Sequence, residues 1–267
     1  MTGMNTDMLL QGFSVFMLIF CRIASFFVVA PIFASRSVPG TFKIGLSAMI
    51  ALLVYLVSGI TQTVPTDLSY ILLIVREIMI GLLMGYTAFL MFTVIQMAGA
   101  FIDIQIGYSI ASVIDPMTGA SSPIISNLKY MIATLLFLSI NGHHYLLQAI
   151  MRSYSWIPLD NQFFNKIYNG NISEFLSRTF SESFVLAFQM SAPLVVALFL
   201  TDVALGFLAR TAPQFNVFVI GVPLKIIVGL LLMVFLMPSL IYAFEYLFQV
   251  LFKSLENLMG AIGQRPG

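Results

Sequence analysis

Few residues in this chain are of a type that could do chemistry, and their spacing decides against most of it. His143 and His144 are consecutive, so on one helix they point in different directions, and no Glu-x-x-His or His-x-x-x-His spacing accompanies them. They follow Asn141-Gly142 at the end of an apolar helix, where interfacial capping fits them better than metal binding. Asp103 and Asp115 lie twelve positions apart, and no further motif supports an intramembrane aspartyl pair. The serines include no Gly-x-Ser-x-Gly, and there is no phosphate-binding glycine loop. Cys21 is the single cysteine, so it has no partner for an intrachain disulfide, and zinc-type spacing is absent. The sequence points away from an enzyme and calls for no metal and no cofactor.

What remains are charges in apolar surroundings. Arg22, Lys43, Arg76, Glu77, Asp103, Lys129, Asp202, Arg210, Lys225 and Glu245 all lie within or at the edges of apolar regions. A charge at the centre of a membrane helix costs about 2.5–3.5 kcal/mol on insertion scales, so pairing or a water-filled interior is required. Arg76 and Glu77 are neighbours, about 100° apart on a helix, and each is expected to meet a different partner. Asp202 and Arg210 share a face but stand two turns apart. Three readings stay open: interhelical pairs or snorkelling ends, polar subunit interfaces, or a secondary transporter with an ion or substrate path through Asp202, Arg210 and Glu245. The stretch from Asp202 to Lys225 sets Arg210, Pro213, Gln214, Asn216 and Pro223 among Val, Phe and Ile. Lipid cannot satisfy such groups, so this stretch is expected to be buried against protein.

The elements that must position these residues are helices. Of 267 residues, 60% are hydrophobic and 9% charged, with a net charge of +1, far from the roughly 25% charged of a soluble domain. Mean hydropathy is +1.00. The chain reads as an all-α integral membrane-type protein of helical hairpins with kinked or broken helices, without the basic patch that nucleic acid requires. A cleaved signal peptide is not expected, because Met1 to Asp7 lacks a positive start. Six apolar regions stand out: 8–34, 42–60, 68–114, 124–150, 183–210 and 214–252. The first and fourth each suffice for one crossing. The third holds no proline between Pro65 and Pro116 and is either two helices broken near Gly99–Asp103 or one helix far longer than a membrane. Pro223 and Pro238 should kink or split the last. Polar connections fall at Thr61–Asp67, Asp115–Pro123 and Arg152–Glu182, the last being the only one that reads as freely solvated.

Gly81 and Gly85, followed by Ala88, Ala98 and Gly99, form a small-residue pattern that lets backbones approach closely. The segment from Gly107 to Pro123 is Ser-rich, small and apolar, bounded by Asp115-Pro116 and Pro123: it is either a simple interhelical turn or a displaceable, tightly packing loop. Met117 within it could act as a compliant filler.

Across these segments the residues carry a family likeness. Arg22, Ala30-Pro31-Ile32-Phe33, Val38-Pro39, Arg76-Glu77 with Gly81, Gly107 to Ser112 with Asp115-Pro116, Asn141 to His144, Ser153-Tyr154, Ala192-Pro193, Arg210 to Phe218 and Gly221 to Lys225 occur in order along nearly the whole chain. In them the sequence resembles the FliR family of flagellar biosynthetic proteins, with a wording closer to the flagellar members than to their virulence-injectisome relatives. The resemblance implies a non-enzymatic subunit of the type III secretion export gate in the bacterial inner membrane, within the flagellar basal body. FliP and FliQ sister subunits would complete a helical, closed-ended pore with membrane lipid around it, FlhB and FlhA would be further export components, and unfolded flagellar proteins would be the substrates. It further implies a FliP-like part over 1–182 and a FliQ-like helical hairpin over 183–267. Gly107, Tyr108, Ser109, Ile110, Ala111, Ser112, Val113, Ile114, Asp115, Pro116 and Met117 would form the pore plug. Arg22, Arg76, Glu77, Asp103, Asp202, Arg210, Gln214, Asn216 and Lys225 would be buried or interfacial polar groups.

Overall fold

The computed structural model describes residues 2–58, 64, 68–107, 123–159, 171–214 and 216–263. The described residues are helical and contain no strand. Among the described residues eight helices follow one another: α1 (Thr2–Val29), α2 (Gly40–Ser58), α3 (Ser69–Ile106), α4 (Ile124–Ser139), α5 (Gly142–Trp156), α6 (Asn171–Thr211), α7 (Val217–Phe235) and α8 (Met237–Ile262). By length and composition four of them, α1, α2, α3 and α6, can cross a membrane, or up to six spans arise if the broken pairs α4–α5 and α7–α8 each count as one.

The 68–114 region resolves to its second alternative. With no proline to interrupt it, α3 runs unbroken for 38 residues, about 57 Å at 1.5 Å per residue, and Gly99–Asp103 is not a break. It stops at Gly107, whose φ of 100° lies in the left-handed region that glycine adopts without strain. The 124–150 region, expected as one crossing, is two helices. Asn141, at φ 58°, supplies the left-handed turn that an asparagine tolerates, and Ile140 closes α4 by donating its N–H to Leu136 O at 3.0 Å. His143 and His144 therefore open α5 and do not close a helix, with ring centroids 4.2 Å apart. The last region splits at Leu236 with a bend of 66°, because Pro238 has no N–H to continue the ladder and its ring crowds the preceding turn, so it sits in the first turn of α8, whereas α7 continues through Pro223. Many of the described residues of the Arg152–Glu182 segment are exposed, as its polarity suggests, but most of them are helical, and residues 160–170 lie outside the described residues. Arg152 lies in α5, and Asn171–Glu182 forms the first turns of α6 with Ile172 and Thr179 buried.

The chain divides into two compact units. One contains α1, α2, α3 to Leu90, α5, α6 to Thr179 and α8 from Val250. Its core gathers Leu18, Ile23, Phe26, Ile80, Met84, Leu146, Ile150, Leu251 and Leu255, all fully buried or nearly so. The helix α1 packs on α2, and α3 meets α1 through its small residues. A Cβ on Gly81 would overlap the carbonyl oxygen of Arg22 and the Ser25 hydroxyl, and one on Gly85 would come 3.0 Å from the Phe26 carbonyl oxygen. The stripe Gly81, Gly85, Ala88 thus seats α1 backbone directly on α3. The other unit contains α3 from Met91, α4, α6 from Phe180, α7 and α8 to Gln249. Phe92 lies edge-on to Phe137 at 5.2 Å and tilted to Phe248 at 5.9 Å, and this aromatic cluster is its core.

The contact at Gly81 sets a test. Gly81→Ala forces α1 and α3 apart and should lower the stability of the detergent-solubilised chain by about 1–3 kcal/mol. Gly206 provides the contrast, because a Cβ there would meet nothing within 4 Å; Gly206→Ala should gain up to about 1 kcal/mol from helix propensity. The midpoints of thermal unfolding check both.

Candidate functional site

The charges singled out in the sequence fall into three sets. In the first unit, Arg22 of α1 and Glu77 of α3 are both fully buried, and Arg22 Nε–H donates to Glu77 Oε2 at 2.5 Å. Arg22 also donates from Nη1 to the Ser153 hydroxyl at 3.0 Å and from Nη2 to the Ile157 carbonyl at 3.1 Å, and its guanidinium lies 4.1 Å from the centroid of the Tyr154 ring. Tyr154 in turn donates its hydroxyl to the Ile19 carbonyl at 3.0 Å. Arg76 was expected to meet a different neighbour from Glu77, and it does so only in part. Its guanidinium donates to the Pro158 and Leu159 carbonyls, yet Nη1 also lies 3.4 Å from Glu77 Oε1. Two arginines and one glutamate leave a net positive charge. The carbonyls of Ile157, Pro158 and Leu159, just past the C-terminus of α5 where helix carbonyls lack helical partners, balance it.

In the second unit, Asp103 of α3 caps α4 from outside it. Oδ1 accepts the N–H of Ile125 and Oδ2 that of Ser126, each at 3.0 Å, so one carboxylate satisfies two of the four orphan donors of that helix. A carboxylate committed to two backbone amides in this way caps the helix, and Asp115 lies outside the described residues. Ser126 Oγ donates to the Gln96 carbonyl at 2.9 Å, and a Cβ on Gly99 would overlap the Ser126 backbone. Lys129, one turn further along α4, is fully buried; its Nζ has no hydrogen-bond partner among the described residues, and Asp103 is the charge that acts on it.

The third set lies in the stretch from Asp202 to Lys225. Asp202 pairs with Lys225 at 2.7 Å and accepts a hydrogen bond from Gln105 Nε2 at 2.9 Å. Within this chain Asp202 and Lys225 are partly buried, while Arg210, Gln214 and Asn216 are exposed. The reason is local. Helix α6 ends at Thr211 and α7 starts at Val217, with the Asn216 carbonyl accepting the Val219 N–H at 3.0 Å, so Gln214 and Asn216 occupy a turn. Among the described residues neither Arg210 nor Glu245 pairs with Asp202, and Glu245 is exposed on α8. A transporter path through these three residues is not assembled. Among the described residues there is no group of His, Cys, Asp and Glu that could hold a metal. Tyr108 to Met117, and with them the Asp115-Pro116 motif, lie outside the described residues, so of the loop positions only Gly107 and Pro123 are placed, at its two ends.

Ser153, Tyr154, Gln105 and Ser126 were not singled out for these roles. Ser153 and Tyr154 stand three and four positions after Ile150 on the buried face of α5, and Gln105 is a lone amide in an apolar run. Both are faint signals, since neither spacing names a partner.

All three sets fall inside the segment that matches a known family. Residues 13–251 match the bacterial export proteins, family 1. The chain belongs to this family. It is 41% identical over 251 residues to the flagellar biosynthetic protein FliR of Bacillus subtilis (strain 168), covering 94% of this chain and 96% of that one. It is 33% identical over 242 residues to FliR of Escherichia coli (strain K12), covering 90% and 91%. The Yop proteins translocation protein T of Yersinia pestis is 30% identical over 244 residues, covering 90% and 92%. Among the described residues, Arg22, Glu77 and Asp103 are polar groups that clamp helices together.

The clamp makes a quantitative expectation. Arg22→Met leaves Glu77 buried opposite a thioether and should destabilise the chain by about 3–5 kcal/mol. Arg22→Met with Glu77→Gln should cost less than the sum of the two single changes. Trp156, the only tryptophan, sits at the end of α5 beside Gly263 and reports the unfolding by its fluorescence.

Proposed function

We propose that this chain, a membrane-embedded component of flagellar type III secretion export, is a non-catalytic subunit of the export gate. In this reading it assembles with FliP and FliQ sister subunits into a hetero-oligomeric pore in the bacterial inner membrane, within the basal body, with FlhB and FlhA as neighbouring export components and flagellar proteins as the exported substrates. Residues 1–182 are the FliP-like part and 183–267 the FliQ-like part, and the segment 107–123 seals the pore.

One observation supports this reading best. Helix α6 is 41 residues long, about 60 Å, twice the roughly 30 Å of a bilayer hydrocarbon core. It exposes Phe180, Phe184, Phe188, Phe199, Leu200 and Phe207 along most of that length. Lipid cannot cover an apolar face that outruns the membrane, and water will not, so neighbouring protein must. The exposed Arg210, Gln214 and Asn216 at the far end of α6 are polar groups that such a neighbour can meet. Likeness to FliR over 94% of the chain supports the flagellar assignment.

Two outcomes test it. Deleting Ile110–Ala120 should leave co-purification with FliP and FliQ intact and make the membrane leaky to small solutes, measured as solute influx into cells; unchanged permeability removes the sealing role. Arg210→Leu should reduce the yield of the co-expressed complex and slow motility, and normal yield with normal swimming places that side chain outside any interface.

A further inference from the structure

The last two turns of α3 carry two polar side chains that leave the helix in opposite directions. Asp103 and Gln105 are two residues apart, about 200° around the axis. On one side Asp103 holds the first amides of α4, Ile125 and Ser126. On the other, Gln105 donates to Asp202 Oδ2 on α6, while Asp202 Oδ1 takes the ammonium of Lys225 on α7. Ile106 packs between the same two helices. A Cβ on Gly229 of α7 would come 3.0 Å from Ile106 Cδ1 and 3.6 Å from Leu198 Cδ2 of α6. The end of α3 is therefore tied to the start of α4 and to the α6–α7 hairpin within a single turn.

The Asp202–Lys225 pair is too exposed, 38% and 17%, to contribute much as an ion pair. Its geometry carries more than its energy. Both carboxylate oxygens are committed, each to a different helix, so a shift of α6 relative to α7 must either break a contact or drag Gln105 with it. A carboxamide suits this place, because it can offer either its N–H or its carbonyl.

We propose that Gln105 is a positioning residue that couples the α6–α7 hairpin to the capped start of α4, so that displacement of the hairpin changes how firmly Asp103 holds Ile125 and Ser126. The coupling stands on contacts inside this chain; its use, as the route by which a neighbouring subunit on α6 acts at the α3–α4 junction, rests on the export-gate reading.

The test is hydrogen–deuterium exchange of the full chain in detergent and again in the complex co-purified with FliP and FliQ. Gln105→Leu should speed exchange at the Ile125 and Ser126 amides about tenfold, the factor that corresponds to losing one hydrogen bond. Gln105→Glu, which sets a carboxylate against Asp202, should do the same and be reversed by Asp202→Asn. Unchanged exchange at Ile125 and Ser126, with faster exchange confined to α6 and α7, overturns the coupling and leaves Gln105 a local brace. If Gln105→Leu loosens every amide, the exchanged pair Asp202→Lys with Lys225→Asp decides. Protection at the start of α4 equal to the parent supports the proposal, since Gln105 can turn its carbonyl to the new ammonium, and loss there with the hairpin still protected overturns it. Failure to co-purify with FliP and FliQ would count against the export-gate reading alone, because the exchange of the solitary chain still reads the coupling.

Discussion

The buried pair of Arg22 and Glu77 is the interaction on which the first unit depends. Two ions removed from water repay that cost only when their remaining hydrogen-bonding capacity is also satisfied. Here the remainder of Arg22 is taken by Ser153 and the Ile157 carbonyl and its face by Tyr154, so α1, α3 and α5 are fixed by one guanidinium. Glu77 reaches Arg22 because Gly81, one turn further along α3, lets the two backbones touch. A larger residue at Gly81 would move the carboxylate away from Arg22, which links a packing detail to the buried ion pair.

The second unit uses the same device. Gly99 brings α3 against the Ser126 backbone, and Asp103, again one turn away, accepts the two amides exposed there. A glycine sets the distance and a carboxylate on the same face uses it. The difference lies in the partner. Arg22 is a side chain that must be paired, whereas the start of α4 is backbone that must be capped. Both satisfy polar groups of a very apolar chain without water: Arg22 through its pair and its carbonyls, and the start of α4 through its cap.

What is left uncovered is equally ordered. The phenylalanines along α6, with Gln214 and Asn216, are exposed on the chain, and α6 is longer than a bilayer core is thick. Among the described helices the longest therefore keeps an apolar face open along much of its length.

Composition determined that the fold is helical and membrane-type, and the absence of proline from Pro65 to Pro116 already demanded the long α3 or its break. The small-residue stripe at Gly81 and Gly85 and the anomaly of charges in apolar runs were also legible, because a glycine spacing and a misplaced charge are visible one residue at a time. Partners were not. That Asp202 meets Lys225 and not Arg210, that Arg76 shares Glu77 with Arg22, and that Asp103 caps a helix 22 residues later all depend on which helices lie side by side. Helices such as α2, α3 and α7 are apolar on every face, so their periodicity does not say which side faces in. The sequence by itself determined that these charges needed polar company, since lipid offers none; tertiary structure alone decided with whom, because a hydrogen-bonded pair requires contact within about 3 Å and only packing sets that distance.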